Sequence, residues 1–190
     1  ARKYRFFHWH LEYPEVFDKG GVDCIFGNPP WERIKLQEKE FFSSKDVAVA
    51  KAPTKAIRTK LIKNISANNP RLYEEFQVEK ANSEKSALFL TKSGRFPLTG
   101  KGDINTYAVF AEQFYNKVNR KGMSGVILPI GIATDKTTSE FFSQIVDEER
   151  IHKLLGFENE SYIFREVHHA FKFCLLTISG LDIKCKKPDF

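Results

Sequence analysis

The sequence predicts an α/β fold whose sheet is covered by helices on both faces. Apolar, strand-like runs recur along the chain, at 22–26, 124–132, 151–159 and the second half of 161–180. Segments 103–122 and 136–149 have helical spacing and lie between these runs, and such alternation is typical of α/β proteins. Residues 32–102 show helical patterning alone. We therefore expect one α/β sheet interrupted by a helical insertion.

The composition is that of an ordinary globular domain, with 42% hydrophobic and 28% charged residues in a chain of 190. No apolar run approaches a membrane span, and no signal peptide is recognisable, so we expect neither membrane insertion nor secretion. The three cysteines form no CxxC pair, which makes a reducing cytoplasm the expected location. Cys24 and Cys174 lie in strand-like runs and are predicted to be buried, whereas Cys185 lies among lysines.

Residues 1–31 comprise an aromatic-rich leading segment, the first strand and the turn that follows it. The run Val-Asp-Cys-Ile-Phe at 22–26 is bounded by glycines on both sides, which limits it to a short strand. A continuous apolar run of this length is typical of a strand buried on both faces of a parallel sheet.

The insertion at 32–102 is predicted to consist of amphipathic helices. One face of the first segment carries Ile57, Leu61, Ile62 and Ile65, and one face of the second carries Leu72 and Phe76 together with Val78 or Glu79. Three glycines and one proline within 94–102 end this pattern.

The net charge of +6 is concentrated in this insertion. Residues 33–63 contain nine basic and three acidic residues, an excess that equals the net charge of the whole chain. Lys55, Arg58 and Lys60 are the candidates for contacts with phosphate groups. The alternative is that the basic helix face is merely solvated.

After the insertion, residues 103–190 are predicted to form the remaining α/β part of the sheet. Asp103 is a good N-cap for a helix that the pattern extends to Gly122. Asp135 precedes the next helix, and we interpret it as a cap rather than as a catalytic base.

The turn Asn28-Pro29-Pro30-Trp31 follows the first strand directly. Open α/β sheets bind ligands at the carboxyl ends of their strands, so this turn is the main candidate site. The prolines stiffen the turn and leave carbonyls without local N–H partners, and Asn28 adds a side-chain acceptor.

Rigid acceptors beside a large ring suit a planar group with an exocyclic amino group. They would also stabilise the charge that develops on an attacking nitrogen. The alternative is a stiff turn anchored by Trp31.

This strand and turn resemble motif IV of the gamma-class N6-adenine DNA methyltransferases. Further segments resemble, in the same order, blocks of the large bacterial methylases of restriction–modification and phage defence, at 7–17, 102–112, 127–135, 157–159 and 163–173. The resemblance implies the second half of a doubly wound, Rossmann-like methyltransferase sheet with a helical insertion.

The resemblance also implies methyl transfer from S-adenosylmethionine to N6 of an adenine flipped out of DNA. Asn28 and the Pro29 carbonyl would hold the amino group within the rigid turn that Pro30 completes. Trp31 would stack on one face of the base, an interaction worth about 1–3 kcal/mol. An aromatic residue before the last strand would cover the other face, with Phe164 preferred and Phe171 and Phe173 as alternatives.

Enzymes of this family hold S-adenosylmethionine with a glycine-rich turn between a strand and a helix. The glycine-containing segments at 20–21, 99–103 and 120–125 lack that context. We therefore expect this chain to be part of a longer protein that carries most of the cofactor pocket and a target-recognition domain. The isolated chain is expected to be inactive, and its first strand to present an exposed edge to a partner or a second copy.

Two other functions fit the same residues. Enzymes that methylate glutamine side chains or RNA have similar Asn-Pro-Pro-aromatic turns, although the basic insertion favours DNA. A non-catalytic DNA-binding module could also keep the turn as a feature of its fold. The histidine pairs at 8 and 10 and at 168 and 169 lack convergent ligands, so no metal site is predicted.

Overall fold

The structure, a computed structural model, describes residues 7–190; the start of the expected leading segment, residues 1–6, lies outside this range. The chain divides into two compact units. The first comprises the chain up to Trp31 together with Thr106–Phe190, and the second comprises Glu32–Asn105. The boundary after Asn105 lies three residues beyond the expected end of the insertion at residue 102.

The elements of the described residues are numbered here in chain order. The helices are α1 (Trp9–Glu12), α2 (Pro14–Asp18), α3 (Glu38–Phe42), α4 (Val47–Ala50), α5 (Lys55–Asn68), α6 (Pro70–Lys92), α7 (Thr106–Lys117), α8 (Gly131–Thr134) and α9 (Ser139–Asp147). The strands are β1 (Val22–Gly27), β2 (Val118–Pro129), β3 (Ile151–Glu158) and β4 (Lys172–Ser179). A single 3₁₀ turn, Lys136–Thr138, precedes α9.

The first unit contains a four-stranded mixed sheet in the order β1-β2-β4-β3. β1 and β2 are parallel, whereas β4 is antiparallel to both β2 and β3. The α/β class is therefore confirmed, with a sheet that is only partly parallel. The connections explain this pairing, because a parallel neighbour requires a long crossover, whereas the loop between β3 and β4 allows the chain to reverse.

The first strand was predicted to be buried, and this prediction is wrong. β1 is an edge strand, and both Cys24 and Phe26 are exposed, the latter by 89%. An apolar run predicts a strand but does not reveal whether other elements cover its faces. The expectation that this strand presents an exposed edge is confirmed, and what pairs with that edge stays a prediction. Cys174 in β4 is buried, as predicted.

The helix expected from Asp103 to Gly122 is shorter than predicted. α7 begins at Thr106 and ends at Lys117, and β2 follows without a loop. Asp103 therefore is not the N-cap, and its carboxylate lies 3.9 Å from the Arg33 guanidinium. Gly122 lies inside β2, where a Cβ atom would be 2.6 Å from the Asp23 carbonyl oxygen. Close pairing with β1 thus replaces the expected helix end.

The core of the first unit lies between the sheet and the helices α7 to α9. Its buried apolar side chains include Ala108, Ala111, Val126, Leu128, Ile132, Phe141, Ile145, Leu176 and Ile178. The helix predicted at 136–149 is present as the 3₁₀ turn followed by α9. The strand predicted at 151–159 is present as β3, and the final strand as β4.

The second unit is helical, as the patterning predicted. Its core contains the buried side chains Phe42, Val49, Ile62, Ile65 and Phe76. Val78 and Glu79, either of which was expected on the apolar face of α6, are both exposed, whereas Phe76 is buried. Among the helices of residues 7–190, including the 23-residue α6, none is long and apolar enough to cross a membrane.

Candidate functional site

The candidate site lies at one end of the sheet of the first unit. β1 and β2 end there with Gly27 and Pro129, and β3 ends there with Glu158. β4 begins at the same end because it is antiparallel, with Phe173 opposite both Pro129 and Phe157. The turn Asn28–Trp31 follows β1 at this end, where α/β sheets commonly bind ligands.

One carbonyl of this turn has a partner that sequence reasoning missed. The hydroxyl of Thr106, the first residue of α7, donates a hydrogen bond of 2.7 Å to the Pro30 carbonyl oxygen. The Pro29 carbonyl and the exposed side chain of Asn28 accept no hydrogen bond from the described residues. The turn is therefore held through Pro30, while the exposed Asn28 side chain and the carbonyl of the buried Pro29 have no partner among the described residues.

The structure brings Trp31 together with all three phenylalanines that the sequence offered as its partners. Its ring centroid is 5.4 Å from that of Phe164, 5.6 Å from Phe171 and 6.4 Å from Phe173. Phe157, which was not predicted, stacks on Phe173 at 5.5 Å. We call these five rings the aromatic cluster. Phe157 belongs to the block Phe-Glu-Asn at 157–159, one of the segments that carry the resemblance, and this block could have indicated it.

The geometry within the aromatic cluster distinguishes the candidates. Phe171 lies nearly parallel to Trp31, with 14° between the ring planes, whereas Phe164 meets it edge-on at 67°. A separation of 5.6 Å is within the range of about 4.5–7 Å for rings in direct contact. One of these rings must therefore move for a base to lie between Trp31 and Phe171. The choice of Phe164 as the second stacking residue stays a prediction.

The indole nitrogen of Trp31 is buried and has no hydrogen-bond partner within the described structure. Leaving a buried donor unsatisfied costs about 1–3 kcal/mol. This arrangement of Trp31 is thus less favourable than one in which its N–H finds an acceptor, which is consistent with a cluster that rearranges when occupied.

Asp135 lies at the N-cap position of the 3₁₀ turn, but its carboxylate makes no capping hydrogen bond. It instead accepts a hydrogen bond of 3.4 Å from the hydroxyl of Tyr107. Burial, and then the negative charge of Asp135, raise the pKa of Tyr107 above its ordinary value. Tyr107 therefore stays protonated at neutral pH and acts as a hydrogen-bond donor.

The three basic candidates lie on α5 in the second unit. Lys55 and Lys60 are exposed. The side chain of Arg58 is only 12% exposed, and its Nε donates to Glu38 across 2.8 Å. Arg58 thus stabilises the helical unit, which leaves the two lysines as the more accessible cations of this set.

One histidine of the first pair and both of the second contact other side chains. His10 Nε2 is 2.9 Å from Lys117 Nζ, and the ring of His168 is 4.4 Å from that of His169. Within residues 7–190, no three His, Cys, Asp or Glu side chains are placed to hold a metal ion.

Comparison with known proteins does not assign the chain to a family. No protein-family model matches the sequence, and no curated protein matches it.

Proposed function

We propose that the turn Asn28–Trp31 binds the amino group of a flipped-out adenine, and that this chain belongs to an N6-adenine DNA methyltransferase. The observation that carries the proposal is a pair of acceptors without partners, the Asn28 side-chain oxygen and the Pro29 carbonyl, beside Trp31. An exocyclic amino group has two hydrogens to donate, and the adenine ring presents a face for stacking.

In this proposal, the chain's own residues orient the nitrogen that is to be methylated. Two hydrogen bonds to oxygen favour a tetrahedral nitrogen whose lone pair points out of the plane of the ring. The bond from Thr106 to Pro30 fixes the turn before the base arrives, so little reorganisation accompanies the reaction. Trp31 holds the plane of the base through stacking.

The methyl donor of such an enzyme would be S-adenosylmethionine, which supplies the methyl group. The three glycine-containing segments do not fit its binding turn. Gly20 and Gly21 precede β1, the glycines at 100 and 102 precede α7, and Gly122 and Gly125 lie inside β2. We therefore assign no residue of this chain to the donor and derive no step through it.

Three further features support the proposal. A sheet in which β1, β2 and β3 run in one direction and β4, between β2 and β3, runs in the other is compatible with part of a doubly wound fold. The exposed edge of β1 is where further strands, or a second copy, would pair. The exposed Lys55 and Lys60 offer charges for the DNA backbone. The proposal also includes a cytoplasmic role in restriction–modification or phage defence, which rests on the resemblance.

The test is the identity of the methylated product. The full-length gene product, whatever flanks these residues, is incubated with labelled S-adenosylmethionine and with DNA, RNA and protein in separate reactions. We expect the label on adenine N6 in DNA, identified by mass spectrometry of the nucleosides. Label on glutamine or RNA would favour the other methyltransferases instead, and DNA binding without any transfer would favour a non-catalytic module.

A further inference from the structure

We infer that Asn159 is a positioning residue that fixes the loop presenting Phe164 and Phe171 to Trp31. This loop, residues 159–171, joins β3 to β4. The inference rests on the proposed function for its biological meaning, but its structural part can be tested without any substrate.

The side chain of Asn159 uses both of its donor hydrogens on this loop. Its Nδ2 donates to the carbonyl oxygens of Phe164, at 2.9 Å, and Val167, at 2.8 Å. Its Oδ1 accepts a hydrogen bond of 2.9 Å from the Phe164 N–H. Phe164 is therefore held at both its N–H and its carbonyl by one side chain.

The backbone of Asn159 adds two bonds to the same loop. Its N–H donates to the Phe171 carbonyl oxygen at 3.0 Å, and its carbonyl accepts from the Tyr162 N–H at 2.8 Å. Tyr162 has a φ of 49°, a left-handed conformation that residues other than glycine rarely adopt. All five hydrogen bonds of Asn159 thus end between residues 162 and 171.

Burial makes these bonds hard to replace. Asn159 has 0% of its surface exposed, so water cannot substitute for a lost partner. Most residues between 160 and 170 are exposed and contribute little packing of their own. An amide is the one short side chain that supplies two donors and an acceptor together, whereas a carboxylate of the same shape supplies acceptors alone.

The hydrogen bonds of Asn159 hold two rings of the aromatic cluster. Phe164 and Phe171 contact Trp31 edge-on and face-on, and Asn159 bonds to the backbone of both phenylalanines. Loss of the amide should release both rings while leaving β3 and β4 paired. In the proposed enzyme, Asn159 would therefore set the geometry of the base-stacking site without touching the base.

The experiment uses the 190-residue chain with Trp9→Phe, so that Trp31 is the single tryptophan. Asn159→Asp tests the donors, and Asn159→Ser is the second variant should the first fail to fold. Asn116→Asp makes the same chemical change at an exposed position of α7 and is the matched control. The readouts are Trp31 emission, its quenching by acrylamide, far-UV circular dichroism, and affinity for a single-stranded oligonucleotide containing one 2-aminopurine.

We expect both Asn159 variants to keep the far-UV spectrum, to shift Trp31 emission to longer wavelength, and to bind the oligonucleotide roughly tenfold more weakly. The control should match the parent. Unchanged emission, quenching and affinity in both variants would overturn the inference. If emission shifts in both variants but their affinity for the oligonucleotide equals that of the parent, the positioning role stands and base stacking by the aromatic cluster, a part of the proposed function, fails.

Discussion

The Thr106 hydroxyl and the Pro30 carbonyl, 76 residues apart in the sequence, are joined by a hydrogen bond of 2.7 Å. This bond connects the start of α7 to the turn after β1. It occupies the Pro30 carbonyl of the Asn-Pro-Pro-Trp turn, whereas the Asn28 side chain and the Pro29 carbonyl have no partner among the described residues. The start of α7 thus holds the turn of the candidate site through a direct hydrogen bond.

Replacing Thr106 by Val should lower the free energy of unfolding by about 0.5–1.5 kcal/mol, because the hydroxyl is lost while the shape is kept. Thr106→Ser retains the hydroxyl and is the matched control. Urea unfolding followed by circular dichroism measures both. Equal stability of the Val and Ser variants would show that this hydrogen bond contributes nothing.

The cysteines should differ strongly in their reactivity. Cys24 is exposed on β1, whereas Cys174 is fully buried, and burial raises the pKa of its thiol to about 12. Because the thiolate is the reactive form, iodoacetamide at pH 8 should label Cys24 readily and leave Cys174 unlabelled until the chain unfolds. Peptide mass spectrometry over time measures this order. Labelling of Cys174 as fast as Cys24 would contradict the described sheet.

Glu148 should make stability depend on pH in the acidic range. Burial alone would raise its pKa, but hydrogen bonds from Gln144, Arg150 and Tyr115 outweigh this and lower the pKa below 4.5. A lowered pKa in the folded state contributes stability that is complete above pH 4.5 and lost as the pH falls through the folded value.

Glu148→Gln should therefore flatten this part of the stability profile and, at pH 7, cost about 1–3 kcal/mol by leaving the buried Arg150 without its carboxylate. Urea unfolding between pH 3 and 7 measures the effect. Asp147→Asn, an exposed position at the end of α9, serves as the control. If the stability of Glu148→Gln fell with pH as steeply as that of the wild type, Glu148 would not be the source of this pH dependence.

DNA affinity should fall steeply as the salt concentration rises, because Lys55 and Lys60 are expected to contact phosphates. Each phosphate contact removed should reduce the slope of log K against log salt concentration by about 0.9 on duplex DNA. Lys55→Ala and Lys60→Ala should each show this change, whereas Arg58→Ala should mainly reduce stability because Arg58 pairs with Glu38. Lys85→Ala, an exposed lysine on α6, is the control. An unchanged slope in both lysine variants would mean that this basic face is only solvated.

The sequence was sufficient for the elements whose patterns are local. The apolar run at 151–159 predicted β3, and the spacing of Ile62 and Ile65 predicted the buried face of α5. The block at 163–173 supplied all three phenylalanines that contact Trp31. The strand and the helix face depend on residues that are close together along the chain, whereas the three phenylalanines were expected from the resemblance.

Other features depend on contacts that no local pattern contains. The residues after Lys117 fit a helix end, but pairing with β1 places them in β2. The exposure of Phe26 depends on which elements cover the sheet, and the hydrogen bond from Thr106 to Pro30 depends on the whole crossover. The role of Asn159 likewise becomes visible only when its loop is folded.

The central claim is that Asn28 helps to hold the amino group that is methylated. The most direct measurement is the rate of methyl transfer to adenine N6 in DNA by the full-length gene product carrying Asn28→Ala, with Asn116→Ala as control. Asn28 is exposed and accepts no hydrogen bond within the described residues, so the free energy of unfolding should change by less than about 0.5 kcal/mol. The account predicts a loss in kcat/KM of roughly a hundredfold or more. Methylation at the wild-type rate would contradict it.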